Sequence, residues 1–278
     1  MSSPSPLAPV SAELNGISLS YTDVGSGPLV VMVMGTGSPG RVWHAHQRPA
    51  LVNAGFRVVT FDNRGIAPTS ECAEGFTIDD MVADKFDLID HLGAGPAVVV
   101  GTSLGARIAQ ELTLARPDLV RGAVLLATYG RSTPMVTAFS NGERELYDQG
   151  IALPKDFYAA VTAHLNLSPH TLADDRGARD WLDIIGFGGA SRSPGVRAQL
   201  HLHEREANRL PEYRAIDRPV LVVGFADDRT LPCFLAREVA DAIPGARYEQ
   251  VEQAGHWGYL EQPDQVNDLI IGFLRAVG

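Results

Sequence analysis

Unbroken apolar runs punctuate the chain at PLVVMVMG (28–35), FRVVTFD (56–62), AVVVG (97–101), GAVLLAT (122–128) and PVLVVGF (219–225). Runs of this kind, ended by glycine or polar residues, predict strands buried on both faces of a sheet. ARYEQVE (246–252) predicts a further strand, and AELNGISLSYTDVG (12–25) predicts two more, paired as a hairpin about Asn15-Gly16. Between the strands the period lengthens to that of a helix. TIDDMVADKFDLIDHLG (77–93) carries Thr77 as a cap, Asp80 three residues on and Gly93 as a stop. ARIAQELTLARPDL (106–119) reads as another helix. The closing PDQVNDLIIGFLRAVG (263–278) puts Val266, Leu269, Ile270, Phe273, Leu274 and Val277 on one face. Strands alternating with helices predict an α/β fold: a mostly parallel, eight-stranded sheet with helices on both faces.

One stretch breaks the rhythm. Residues 130–215 hold helix-like patches (ERELYDQGIAL, KDFYAAVTAHLNL, RDWLDIIGF, VRAQLHLHEREANRL) broken by glycine and proline, without a convincing buried strand. This predicts a helical cap, 130–215, inserted into a core domain made of 1–129 and 216–278. Placed beyond the strand ends, it would cover whatever site lies there.

Composition narrows the partners. A net charge of −10 over 278 residues argues against nucleic acid and against an anionic membrane surface. No run approaches the roughly 18 apolar residues that span a bilayer, and MSSPSPLAPVSAEL reads as a loose terminus rather than a signal peptide. Cys72 and Cys233 form neither a disulfide framework nor a CxxC site. The expectation is a cytoplasmic protein with inert thiols, a small-molecule substrate as partner and a homodimer as the assembly to test. Lys85 and Lys155 are the only lysines among many arginines, a bias of GC-rich bacterial genomes.

In sheets of this type, sites form at the carboxyl ends of strands. MGTGSPG (34–40) ends one strand but lacks the lysine of a phosphate loop. GTSLG (101–105) ends another and fits the nucleophile elbow G-x-S-x-G. Ser103 there has two readings, a helix N-cap or a nucleophile lifted by a strained turn. A nucleophilic serine needs a base and an orienting acid. His256, in AGHWGYLEQP, follows the last predicted strand; PVLVVGFADDRTLP offers Asp227 and Asp228 as acids. His44 and His46, like His201 and His203, have i, i+2 spacing, but no carboxylate or cysteine pattern completes a metal site. His91, His164 and His170 fall on a helix or in the cap. Neither a metal nor another cofactor is expected.

These blocks, in the order nucleophile, acid, histidine, resemble an α/β-hydrolase-fold serine hydrolase. VVVGTSLGARIAQELTLARPDLVRGAVLLA, FDNRG, PVLVVGFADDRTLP and GHWGYLEQPDQVNDLIIGFL carry the likeness, and with LVVMVMG they cover most of the chain outside the cap. The resemblance implies Asp228 as the acid, since Pro219 and Pro232 flank it at the family's distances; Gly224 alone favours Asp227. It implies an oxyanion hole from the N–H groups of Leu104 and Thr36, with Met34-Gly35 in place of the family's His-Gly. FDNRG is implied to be a structural turn that Arg64 braces.

The expected activity is cleavage of an ester, thioester or lactone of a small, largely apolar substrate, of the kind found in secondary metabolism. Gly35, Trp257 and Trp181 are expected to line its site, and Phe157, Tyr158, Leu165, Phe187 and Leu202 are further apolar candidates. Three alternatives share the motif set: a C–C hydrolase of vinylogous β-diketones, a cofactor-free haloperoxidase or perhydrolase, and a ligand-binding protein without catalysis. Thr102, where C–C hydrolases usually carry Asn before the serine, speaks against the first.

Overall fold

The computed structural model describes residues 8–72, 75–189, 193–202 and 208–278. Its sheet has eight strands, β1 (Val10–Leu14), β2 (Ile17–Val24), β3 (Leu29–Val33), β4 (Arg57–Phe61), β5 (Ala97–Thr102), β6 (Val120–Leu126), β7 (Val220–Phe225) and β8 (Arg247–Val251). They lie in the order β1-β2-β4-β3-β5-β6-β7-β8. The β1–β2 and β2–β4 pairs are antiparallel and all the other neighbours parallel. Every residue of β3, β5 and β7 is buried, as the apolar runs require of strands covered on both faces. Edge strand β8 buries only Val251. Asn15 and Gly16 both take positive φ, 46° and 74°, and turn β1 into β2 with Leu14 opposite Ile17.

Twelve helices complete the described chain: α1 (Gln47–Asn53), α2 (Ile78–Leu92), α3 (Leu104–Ala115), α4 (Pro134–Asp148), α5 (Lys155–Asn166), α6 (Pro169–Leu172), α7 (Asp175–Gly188), α8 (Pro194–Leu202), α9 (Leu210–Tyr213), α10 (Cys233–Ala242), α11 (Gly258–Glu261) and α12 (Pro263–Val277). α2 begins in a reciprocal capping box between Thr77 and Asp80 and ends at Gly93, φ 59°. α3 starts two residues before its apolar pattern and stops before Pro117, which cannot continue a helix. α12 buries Val266, Ile270, Phe273 and Leu274 from the predicted stripe, with Leu269 and Val277 at its margin. None of the helices formed by the described residues is long and apolar enough to cross a membrane.

Helices α4 to α9 lie between β6 and β7. Ala159, Ala163, Leu167 and Ile185 form a small apolar cluster of their own, against which Tyr158, Trp181, Leu182 and Trp257 pack. Three of the expected apolar candidates lie outside this cluster. Leu202 belongs to the main core beneath the sheet, because the last turn of α8 runs back into it. Phe187, at the end of α7, is 93% exposed, and Phe157, on α5, is exposed too, so neither joins the buried cluster of the inserted helices.

A buried ionic group pins the turn after β4 to α2. Arg64 donates to both oxygens of Asp84, at 2.7 and 2.5 Å, and Asn15 Nδ2 donates to Asp84 Oδ1 at 2.9 Å. Arg64 thus braces the turn, as the family likeness implied. Lys85 Nζ lies 3.8 Å from Asp84, too far for a hydrogen bond, and 4.9 Å from the centre of the Phe61 ring. Complete burial pushes the Lys85 ammonium down to about 8, against the pull of Asp84. Below pH 8 both folded and unfolded chains carry this proton, and the folded chain bears the full cost, on the order of 3 kcal/mol. Between pH 8 and 10.5 only the unfolded chain holds it, so the cost fades as pH rises. Lys85→Met is therefore expected to raise Tm at pH 7, with the gain over wild type shrinking toward pH 10.5. A gain independent of pH in paired thermal scans would contradict this.

Candidate active site

Each predicted reactive residue follows a parallel strand at its carboxyl end: Gly35 and Thr36 after β3, Ser103 after β5, Asp228 after β7 and His256 after β8. The sheet's register therefore places all of them along one edge of the molecule.

Ser103 has φ 55° and ψ −122°, a region costly for any residue with a Cβ. It occupies the N-cap position of α3, yet its hydroxyl makes no capping hydrogen bond. The turn is held by backbone alone: Ser103 N donates to Leu126 O at 3.0 Å, and Arg107 N donates to Ser103 O at 3.0 Å. Its glycines are steric requirements. A Cβ on Gly101 would overlap the Gly105 carbonyl, and one on Gly105 would overlap the Val33 carbonyl. Gly105→Ala is accordingly expected to destabilise by more than the roughly 1–3 kcal/mol of ordinary overpacking, since rigid strand backbone cannot yield. A urea midpoint within error of wild type would contradict it.

His256 Nδ1 lies 2.7 Å from Asp228 Oδ2, and both side chains are buried. Asp228 Oδ1 accepts from the backbone N–H groups of Thr230 (2.9 Å) and Leu231 (2.7 Å). The carboxylate is thus fixed from one side and faces the imidazole with the other. Asp227 points elsewhere: its Oδ2 accepts from the Ser168 hydroxyl at 2.6 Å. Ser103 Oγ and His256 are not hydrogen-bonded to each other in the described structure; such contacts are often long before substrate binds.

Gly35 packs on Ser103, where a Cβ would come 3.1 Å from the serine Cβ. The loop after it is tied at three points. Asn63 Nδ2 donates to Met34 O (2.9 Å), Gly37 N donates to Gln199 Oε1 (2.9 Å), and Gly40 N donates to Asp62 Oδ1 (2.8 Å). Among the described hydrogen bonds, the N–H groups of Thr36 and Leu104 are not spent on the protein itself. Trp181 and Trp257 stack obliquely, centroids 6.0 Å apart at 37°, beside His256.

Comparison with known proteins fits this arrangement. The model of the alpha/beta hydrolase family matches residues 30–269. The chain belongs to that family. It is 48% identical over 261 residues to a protein of Mycobacterium tuberculosis H37Rv named as a non-heme bromoperoxidase, BpoC, covering 94% of this chain and 99% of that one. The BpoC crystal structure superposes with a TM-score of 0.90, at 47% identity, covering 94% of this chain and 96% of the other. A Caulobacter protein named as the carbamate hydrolase RutD is 28% identical, over 92% of this chain and 96% of its own length. A thermophilic esterase from Thermogutta terrifontis shares 25% identity at a TM-score of 0.83, covering 97% and 99%.

His44 Nε2 is 2.8 Å from Thr60 Oγ1, and burial, with Arg48 and Arg41 nearby, pushes the imidazole down to about 4, so it is neutral at pH 7. His46, His164 and His170 are exposed, and His91 lies 3.2 Å from the Tyr21 hydroxyl. His203 lies outside the described residues. Among the described residues no three histidine, cysteine or carboxylate side chains form a metal-sized group. Cys72 and Cys233 are free and half-buried, and burial pushes the Cys72 thiol up, away from thiolate.

Sequence reasoning missed the residues that join the inserted helices to these loops. Glu261, on α11, accepts from Gly255 N (2.7 Å) with one oxygen, and from Ser168 N (2.8 Å) and Thr171 Oγ1 (2.5 Å) with the other. Trp257 N donates to Asn166 O at 3.0 Å. The loop bearing His256 is thereby stitched to the end of α5 and to α6, and Asp227 ties the loop bearing Asp228 to Ser168 between them. The partners that reach the inserted helices stand 59 to 93 positions away, a separation no local pattern signals.

Proposed function

We propose that this protein is a serine hydrolase that cleaves an ester, thioester or lactone of a small, largely apolar substrate. The observation that carries the reading is a serine in a strained elbow whose hydroxyl is not used as a helix cap, on the same sheet edge as a buried imidazole hydrogen-bonded to a carboxylate. His256, its Nδ1–H donated to Asp228, takes the Ser103 proton at Nε2 as Oγ attacks the acyl carbon. The negative oxygen is received by the N–H groups of Leu104 and Thr36, with the N-terminus of α3 behind it. His256 then passes the proton to the leaving alcohol or thiol. Water, deprotonated by the same imidazole, attacks the acyl carbon; the Oγ–acyl bond breaks, the imidazolium returns its proton to Ser103 Oγ, and the carboxylic acid leaves. The helices between β6 and β7 act as a cap, and Trp181, Trp257 and Tyr158 supply the apolar wall.

A second reading is favoured by one observation, the name of the 48% identical relative. In it hydrogen peroxide replaces water at the acyl-enzyme, and the peracid released oxidises bromide. Both readings share the serine and divide at the second nucleophile.

The test is a substrate panel with and without peroxide. Hydrolysis of short aryl esters, lactones or thioesters faster than any peroxide-dependent bromination in acetate supports the first reading, and the reverse supports the second. Faster bleaching of a coloured dienol β-diketone overturns both in favour of C–C cleavage. A wild-type protein that no fluorophosphonate labels and no substrate engages is a binding module.

A further inference from the structure

One of the ties on the loop after β3 comes from the inserted helices. Gln199, on α8, is wholly buried, and both ends of its amide are engaged. Its Oε1 accepts from Gly37 N at 2.9 Å, and its Nε2 donates to Arg64 O at 2.9 Å. Arg64 is itself held by Asp84, so Gln199 ties the loop after β3 to a braced turn. Gly195, Val196 and Gln199 share one face of α8. Gly195 meets Gly65 backbone to backbone, with no space for a Cβ on either, and Val196 packs over Gly37. On the other face, Arg197 pairs with Asp148 and Arg144 bonds His201, which fastens α8 to α4.

We infer that Gln199 is a positioning residue for the oxyanion hole: by holding the Gly37 N–H, it fixes the preceding peptide so that Thr36 N–H points at the oxyanion. It rests on the serine hydrolase reading above. The consequence is that the seating of the inserted helices is coupled to transition-state stabilisation. Thr36 lies one residue from the clamped amide, and a carbonyl two residues before Thr36 is held by Asn63. Cutting one of these ties leaves the N–H present but free to turn. A donor missing altogether costs about 100- to 1,000-fold in kcat, and one misaimed by about 1 Å costs up to about 100-fold.

Gln199→Met keeps the length of the side chain and removes both hydrogen bonds. It is expected to lower kcat about 10- to 100-fold on an aryl ester, with KM within threefold. Because the His256–Asp228 pair is untouched, the acid limb of the pH profile stays in place. The Ki of a trifluoromethyl ketone, which forms a tetrahedral oxyanion on the serine, is expected to rise by the factor by which kcat/KM falls. A merely structural role would not produce that parallel. An unchanged Ki, or a raised KM at constant kcat, overturns the proposal. Amide hydrogen exchange on the wild-type protein gives a measurement independent of how the variant folds. A protected Gly37 N–H supports the clamp, and exchange at the unprotected rate refutes it. A wild type inert to fluorophosphonate sinks the serine reading itself, whereas a reactive wild type with an indifferent variant sinks only the role of Gln199.

Discussion

Asp228→Asn is expected to fold and to lose about 10,000-fold in kcat, through the tautomer of His256 rather than through lost contact. Oδ1 of Asp228 receives two backbone N–H groups, from Thr230 and Leu231, so only an oxygen is tolerated there. The new amide nitrogen must therefore take the place of Oδ2, 2.7 Å from His256 Nδ1. Facing a donor, the imidazole has to present Nδ1 as acceptor and carry its proton on Nε2, where it can no longer receive the proton of Ser103. Asp227→Asn, by contrast, keeps an oxygen for the Ser168 hydroxyl and is expected to stay within about tenfold of wild type. Steady-state rates on one activated ester, with Tm for both variants, decide the matter. A crippled Asp227→Asn beside an active Asp228→Asn would transfer the acid to Asp227.

Ser103→Ala is expected to abolish fluorophosphonate labelling and to reduce turnover by about 10,000-fold or more, with an unchanged fold. Alanine keeps the Cβ, and so keeps the strain of φ 55°, which predicts a Tm close to that of wild type. Ser103→Gly is equally inactive but relieves the strain. That relief is on the order of 1–3 kcal/mol, of which a more flexible unfolded chain takes back about 0.4–1. The glycine variant should then melt above wild type, by about 2–4 °C for each kcal/mol of net relief. If alanine and glycine variants melt together, the turn stores no strain. If Ser103→Ala still turns over substrate, the serine is not the nucleophile.

Much of the fold was legible because its signals are local. The hairpin at Asn15-Gly16, the capping box of α2, the stripe of α12 and the apolar runs of β3, β5 and β7 each occupy a few consecutive residues. Helix ends slipped where proline or a turn overrode periodicity, as at the end of α3. The elbow was legible for the same reason, its glycines and serine forming one five-residue block. The choice between Asp227 and Asp228 was not settled by the residues alone. Two adjacent carboxylates on one loop differ only in which way the backbone aims them.

The apolar inventory of the inserted helices was the least legible part. Composition could not tell Leu202, sunk in the main core, from Phe187, which is 93% exposed. The sequence by itself determined the strand and helix order, the strained turn and the chemical types available at the strand ends. Those follow from periodicity, sterics and side-chain chemistry within a short window. Tertiary structure alone decided that Asp227 serves Ser168 while Asp228 serves His256, that Glu261 joins the histidine loop to the start of α6, and that Gln199 reaches Gly37 across 162 positions. Each of those bonds joins groups that only the packed sheet and its inserted helices bring within 3 Å, and no local preference encodes such an encounter.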